Sequence, residues 1–168
     1  MEMKKYILLI LISLSACNKD NMVGDVVSTN IDISLKDAYN NDLLDPANEN
    51  SLKNWNIKVY HERDGRRIEA VEINRIEMDK GNFILDYPHD FFIYPSHENE
   101  YRIRVFLHSN PAPDKYGATY INWGGIAEDT IKYKLIRNES VLSVYEVQYN
   151  GFLLPKNEIR FYSQTLNR

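Results

Sequence analysis

The sequence predicts an all-β protein, an antiparallel β-sandwich of about seven to nine short strands. Short segments alternate apolar and polar residues, which is the pattern of a strand with one buried face. Asp-Gly and Asn-Gly dipeptides stand between such segments and favour tight hairpin turns, because Asp, Asn and Gly tolerate positive φ. No segment repeats its apolar residues with a convincing helical period of about 3.6 residues. Together these observations favour two sheets packed around one core.

The first predicted strand covers residues 30–36, in which every odd position is apolar. A loop rich in Asn and Asp follows at residues 40–51. Residues 57–60 are then predicted to pair, through Asp64-Gly65, with a segment that starts at Ile68. These segments form the first part of the predicted sandwich.

In the segment that starts at Ile68, the apolar residues change from even to odd positions at Ala70-Val71. This change predicts a bulge or a break in that strand. Residues 83–85 form a short candidate strand, and residues 101–107 form the clearest strand of the chain. Residues 119–121 form another short strand. Prolines restrict regular structure around these segments, because each lacks a backbone donor. They are Pro88, Pro95, Pro111 and Pro113.

The last third of the sequence is predicted to form a pair of hairpins. Apolar residues alternate with lysines over residues 131–135, and alternation resumes over residues 145–149. Asn150-Gly151 predicts a tight turn into residues 152–154. A final strand near residues 159–161 is predicted to close a sheet edge.

The N-terminus resembles the signal sequence of a bacterial lipoprotein. Leu14-Ser15-Ala16-Cys17 follows an apolar stretch at residues 6–13 and a basic pair, Lys4-Lys5. The resemblance implies a lipoprotein signal peptide at residues 1–16, which is removed, and acylation of Cys17, palmitate included. The expected partner is therefore the lipid bilayer, which the protein contacts through acylated Cys17.

The resemblance to a lipoprotein signal sequence also predicts the domain organisation and the location of the protein. Residues 17–25 would be the lipidated N-terminus and a linker, and residues 26–168 a single β-sandwich domain. We expect attachment to the outer membrane of the cell envelope, on either its periplasmic or its outer face.

Composition narrows the function classes. Without Glu2, Lys4 and Lys5, residues 17–168 carry 18 basic and 23 acidic residues, a net charge of −5. Basic residues are scattered among acids, so nucleic acid is not an expected partner. The chain has one cysteine, so no disulfide can form within it, and stability must come from packing.

Several segments together resemble small uncharacterised lipoproteins of Bacteroidetes. They are residues 41–46, residues 57–60, Trp123 ahead of residues 129–131, and residues 149–151. The resemblance implies an immunoglobulin-like or prealbumin-like sandwich over most of residues 25–165. It implies no activity and no site residues.

Four aromatic residues form the predicted ligand-binding group: Trp55, Tyr116, Tyr120 and Trp123. Exposed aromatic rings beside Asn and Asp suit the recognition of a glycan or a protein. The alternative is that Trp55 and Trp123 are core residues, because large aromatic side chains dominate burial in a core without disulfides.

No metal or other cofactor is predicted. The group of histidines and acids lacks the sequence spacing of zinc sites. This group is His89, His97 and His108 with Asp90, Glu98 and Glu100. Asp42, Asp45, Asn48, Glu49 and Asn50 lack the calcium-binding pattern of an EF-hand loop. For Asp42 and Asp45 we expect bonds to the backbone two residues on.

Two classes of function remain. The first is a non-catalytic binding or assembly module, which needs only a stable sandwich and variable loops. The second is an envelope glycoside hydrolase or carbohydrate-binding protein, with Asp86, Asp90 and Glu98 as the nearest carboxylates. No catalytic residue is assigned, because no nucleophile elbow or phosphate-binding glycine loop occurs.

Overall fold

The computed structural model describes residues 26–53, 56–73, 89–97, 99–107, 115–138, 141–155 and 161–166. Several predictions concern residues outside these ranges. They are the signal peptide, Cys17, the linker, Trp55, the strand at 83–85, Asp86, Glu98 and His108.

The described chain forms eleven strands. In order they are β1 (Val26–Ser28), β2 (Asn30–Asp37), β3 (Ile57–Arg63), β4 (Arg66–Glu69), β5 (Phe91–Pro95), β6 (Tyr101–Phe106), β7 (Gly117–Trp123), β8 (Glu128–Arg137), β9 (Val141–Tyr149), β10 (Phe152–Leu153) and β11 (Phe161–Leu166). Residues 70–73 are helical, and no described helix is long and apolar enough to cross a membrane.

The strands form two sheets. The large sheet has the order β1-β9-β8-β7-β3-β4, with β10 also paired to β9, and the small sheet has the order β11-β2-β6-β5. The predicted β-sandwich is confirmed, and most of its strand pairs are antiparallel as predicted. Two pairs are parallel: β1 with β9, and β2 with β11. Only Thr29 separates β1 from β2, so the chain passes from one sheet to the other at this residue.

The inward faces of both sheets supply one continuous core. In β2 the predicted apolar face is confirmed, because Ile31, Ile33 and Leu35 are fully buried. The prediction of an exposed opposite face is wrong, because Asp32 and Ser34 are only 9% and 2% exposed. Ile121 and Ile131 of the large sheet belong to the same cluster of apolar side chains. Full burial of one such side chain contributes about 1.5 to 3 kcal/mol, which makes this shared layer the main source of stability.

Both predicted Gly-containing hairpin turns are confirmed. Asp64 has φ 52° and Gly65 φ 73°, while Asn150 has φ 49° and Gly151 φ 86°. Positive φ at both central residues is what a type I′ turn requires. The first turn joins β3 to β4, and the second joins β9 to β10.

Two other predictions about strands can be compared with the structure. Strand β4 ends at Glu69 and the chain becomes helical at Ala70, which is the break that the phase change predicts. The last strand, β11, begins at Phe161 and lies beside β2 at the end of the small sheet's strand order.

Candidate functional site

The predicted aromatic group is divided between the interior and the surface. On β7, Trp123 points inward and is fully buried, whereas Tyr120 points outward and is partly exposed. Residues three apart on a strand lie on opposite faces, so these two rings cannot share a site. Tyr116, just before β7, is 39% exposed. Trp55 lies outside the described residues, and for Trp123 the core alternative is correct.

Trp123 takes part in a buried polar cluster around Asp129. The indole Nε1 donates to Asp129 Oδ2 at 2.6 Å, and the Tyr149 hydroxyl donates to the same oxygen at 2.6 Å. Asn150 Nδ2 donates to Oδ1 at 2.7 Å. Three donors therefore satisfy a carboxylate that is only 3% exposed, and the cluster fixes the end of the β9–β10 hairpin against β8.

The outer face of the large sheet carries a group that we name the Tyr120 cluster. Tyr60 of β3 and Tyr120 of β7 are direct cross-strand partners. Arg67 of β4 lies over both rings, with its Cζ 3.9 Å from the Tyr120 centroid and 5.5 Å from the Tyr60 centroid. The Arg67 guanidinium also binds Glu128 at 2.6 Å, and the Tyr120 hydroxyl donates to Glu62 at 3.1 Å. The Arg67 guanidinium and the Tyr120 hydroxyl therefore each have a carboxylate partner on the same face.

The electrostatics of the Tyr120 cluster favour the protonated forms of Arg67 and Tyr120. The hydrogen bond to Glu128 is the main cause that raises the pKa of Arg67. Burial, followed by the hydrogen bond to Glu62, raises the pKa of Tyr120. Near neutral pH the cluster therefore presents a cationic Arg67 paired with a carboxylate, and a protonated Tyr120.

A second group on the same face is named the Tyr116 cluster. The Tyr116 hydroxyl donates to Glu146, and Gln148 Nε2 donates to the Tyr116 oxygen at 2.9 Å. Lys134 Nζ lies 4.5 Å from the Tyr116 centroid and 3.2 Å from Glu146. The Tyr116 hydrogen bond lowers the pKa of Glu146, and the Glu146 hydrogen bond raises the pKa of Lys134.

The two clusters lie on the same face of the sheet and have the same arrangement of side chains. Each has a tyrosine ring with a cation over it, and each cation is paired with a carboxylate. Tyr116 and Tyr120 are four residues apart, a distance of about 13 Å along an extended chain. The face is thus nearly neutral, and its tyrosine rings are held in place by their partners. Such a surface can stack on the apolar side of a ligand while its polar rim forms hydrogen bonds.

The outer face of the small sheet has a related arrangement. Arg104 makes two hydrogen bonds of 2.7 Å to Asp32, and its Cζ lies 5.3 Å from the ring of Tyr94 and 5.8 Å from that of Phe92. The hydrogen bond to Asp32 raises the pKa of Arg104, and burial is the main cause that raises the pKa of Tyr94. Asp32 is only 9% exposed, so this ion pair has a structural role.

A buried histidine joins the two sheets. His61 of β3 lies 2.9 Å from Thr119 Oγ1 through Nδ1, and 2.9 Å from Asp90 Oδ2 through Nε2. Thr119 belongs to the large sheet, whereas Asp90 immediately precedes β5 of the small sheet. A hydroxyl, an imidazole and a carboxylate are the groups of a nucleophilic triad, but His61 and Thr119 are fully buried. No substrate can reach them in this structure, so the geometry supports a bridge between the sheets.

Of the predicted hydrolase carboxylates, only Asp90 lies among the described residues. Asp90 is 8% exposed and bound to His61, while Asp86 and Glu98 lie outside the described residues. Sequence reasoning missed the His61 bridge, because its members are separated by 29 and 58 residues. The one available signal was His61 at an inward position of an alternating strand.

The acidic loop has the turn chemistry that the sequence predicts. Asp42 Oδ1 accepts from the Leu44 amide and Asp45 Oδ1 from the Ala47 amide, each at 2.8 Å. Asp42 Oδ2 also accepts from the Tyr101 amide at 2.7 Å, which ties the loop to β6. Within the described ranges, no group of three or more His, Cys, Asp or Glu side chains could hold a metal ion.

The fold and this surface define a class of protein: an all-β sandwich with a tyrosine-rich, charge-balanced sheet face. Comparison with protein-family models, with curated proteins and with solved structures found no match to this chain.

Proposed function

We propose that this protein is a non-catalytic binding or assembly module, tethered to the membrane of the cell envelope through acylated Cys17. The lipoprotein-like sequence of residues 14–17 supports the tether. The outer face of the large sheet, with its Tyr120 and Tyr116 clusters, is the proposed binding surface.

The observation that carries this proposal is the placement of three tyrosines on the solvent side of one sheet. Tyr60, Tyr116 and Tyr120 each contact a cation and are not part of the apolar core. Tyrosine is enriched at binding surfaces because it combines a large rigid ring with a hydrogen-bonding tip. Rings that are already fixed by their neighbours lose little conformational entropy on binding.

A glycan is the second candidate for the ligand. The same face combines tyrosine rings with the amide of Gln148 and the carboxylate of Glu62, which are groups that bond sugar hydroxyls. Glycoside hydrolysis has less support, because it needs two carboxylates about 5 to 10 Å apart on either side of the scissile bond. Asp90 is held by His61 in the interior instead.

The test is photocrosslinking in living cells. A photoreactive phenylalanine analogue at position 120 places the probe within the proposed surface. The same analogue at Tyr145, which is 42% exposed and outside both clusters, is the matched control. We expect a specific protein or glycan adduct from position 120 that Arg67→Ala weakens. Adducts from position 145 alone would contradict the proposed surface.

A further inference from the structure

The turn between β9 and β10 contains the only Asn-Gly dipeptide of the sequence, Asn150-Gly151. Asparagine is a chemically labile residue, because its side-chain amide can be lost. A glycine that follows it makes the loss easier, since glycine has no side chain to hinder its own backbone nitrogen. Gly151 lies in open space, where even an added Cβ would meet nothing within 4 Å. The turn therefore has the residues that spontaneous deamidation needs.

This reaction requires no enzyme, and its only co-reactant is water. The Gly151 nitrogen attacks Asn150 Cγ, a C–N bond forms, the Cγ–Nδ2 bond breaks, and ammonia leaves with the proton of the Gly151 amide. Water then opens the resulting cyclic imide at one of its two carbonyl carbons. One product has an aspartate at position 150. The other has an isoaspartate, in which the side-chain carbons have become part of the backbone.

In the folded protein the carboxamide of Asn150 is held at both of its polar atoms. Nδ2 donates to Asp129 Oδ1 at 2.7 Å, and Oδ1 accepts from the Thr130 amide at 2.8 Å. The Asn150 amide also donates to the Thr130 carbonyl at 2.8 Å, so side chain and backbone are both bound to β8. Attack by the Gly151 nitrogen requires the carboxamide to rotate, which breaks both of its hydrogen bonds.

Strand β10 adds little protection of its own. It has two residues, and their side chains are largely exposed, Phe152 by 73% and Leu153 by 64%. Segments that bury little apolar surface open locally at a lower free energy than the whole domain. The contacts of Asn150 with β8 are therefore the main barrier between the closed turn and a reactive one.

We infer that Asn150-Gly151 is a deamidation site that the buried polar cluster around Asp129 protects in the folded protein, and that a single reaction there keeps the hairpin from closing again. Deamidation replaces the Nδ2 donor, which lies 2.7 Å from Asp129 Oδ1, by a carboxylate oxygen. Asp129 is only 3% exposed, so water screens the resulting repulsion poorly. Isoaspartate instead lengthens the backbone of the two-residue turn, which disturbs the pairing of Tyr149 with Phe152.

The test compares two Asn-Gly sites in one molecule. Asp64→Asn places a second asparagine before a glycine in the β3–β4 turn, where both central residues also have positive φ. Asp64 is exposed, and the structure shows no hydrogen bond between its side chain and the described residues. The full-length Asp64→Asn protein is incubated at mildly alkaline pH, either folded or in denaturant. Peptide mass spectrometry measures the rate of ammonia loss at each site.

The denatured protein gives the intrinsic rate of each site, and the ratio of denatured to folded rates gives its protection. We expect Asn150 to react at least about tenfold more slowly when folded, because two hydrogen bonds of the carboxamide must break first. The site made by Asp64→Asn should be protected severalfold less. Equal protection at the two sites would overturn the role of Asp129. Equal rates at Asn150 with and without denaturant would overturn protection altogether.

A second measurement tests the effect of the product. Asn150→Asp reproduces one product directly, and denaturant unfolding gives its midpoint. Asn41→Asp is the matched control, because Asn41 Nδ2 also donates to a carboxylate, that of Asp37, at 2.8 Å, but at exposed positions. We expect a clear fall of the midpoint for Asn150→Asp and a small one for Asn41→Asp, where water screens the added charge. Equal shifts would overturn the inference that deamidation keeps the hairpin open.

Discussion

Trp123 Nε1 donates a hydrogen bond of 2.6 Å to Asp129 Oδ2 in the interior of the large sheet. The same carboxylate accepts from Tyr149 and Asn150, so a single side chain satisfies three donors. This arrangement leads to the first prediction.

Asp129→Ala should lower the free energy of unfolding by at least about 2 kcal/mol, because the two buried donors, on Trp123 and Tyr149, lose their acceptor and each loss costs about 1 to 3 kcal/mol. Denaturant unfolding measures the change. Glu128→Ala, at the neighbouring exposed position, is the control and should cost no more than about 1 kcal/mol. Equal midpoints for the two variants would show that the cluster adds little to stability.

Gly151→Val should destabilise the protein by about 1 to 3 kcal/mol. Gly151 has φ 86° in the β9–β10 turn, a conformation in which a β-branched side chain clashes with its own backbone. Phe152→Val is the control, because residue 152 is in strand β10 and 73% exposed. Chemical denaturation of both proteins distinguishes the two effects. If Gly151→Val unfolds like the wild type, the turn is relaxed in solution.

A double-mutant cycle should detect the His61 bridge. Thr119→Val keeps the side-chain shape but removes the hydroxyl beside His61 Nδ1, at an expected cost of about 1 to 3 kcal/mol. Combined with His61→Leu, it should cost less than the sum of the single changes, by about 0.5 to 3 kcal/mol. Thr130→Val, on the outer face of β8, should stay within about 0.5 kcal/mol of wild type. Strict additivity would mean that the two side chains do not interact.

Stability should decrease in alkali partly through two tyrosines. Burial first, and then hydrogen bonds to Asp32 and Glu62, raise the pKa of Tyr94 and Tyr120 in the folded state. The folded protein then binds more protons than the unfolded chain, whose tyrosines titrate near pH 10. This stabilisation is complete below about pH 10 and is lost as the pH rises through the raised pKa values. Tyr94→Phe and Tyr120→Phe should each make alkaline unfolding less steep, and an unchanged slope would contradict the shifts.

Cys17→Ser should abolish acylation and leave the unprocessed precursor or a mis-sorted protein. Mass spectrometry of the membrane fraction and detergent partitioning measure both outcomes. Ser15→Ala, in the same motif, is the control and keeps the small residue that processing needs. Unchanged partitioning of the Cys17→Ser protein would remove the basis for the tether.

Local chemistry made much of the fold predictable. Asp64-Gly65 and Asn150-Gly151 determine their turns through backbone preferences, and Ile31, Ile33 and Leu35 mark a buried face by spacing alone. The spacing of Tyr120 and Trp123 also predicts that their side chains lie on opposite faces of the strand. Because their positions on the strand differ by three, an odd number, only one of the two side chains can face the core.

Contacts between distant segments could not be predicted in this way. The parallel pairing of β2 with β11 joins Asp32 to Phe161, and no local pattern specifies a partner so far along the chain. The same holds for Arg67, whose position over Tyr120 depends on the order of β4, β3 and β7 in the sheet. The surface clusters therefore became visible only with the topology.

The passage of the chain between sheets at Thr29 has a mechanical consequence. A pull on the N-terminal segment reaches β1 first, along the axis of a strand that runs parallel to β9. The hydrogen bonds of that ladder are then sheared together rather than opened one by one. The next strand along the chain, β2, is paired on one side with β6 and on the other with β11. Tension must therefore disrupt both sheets before the chain can extend.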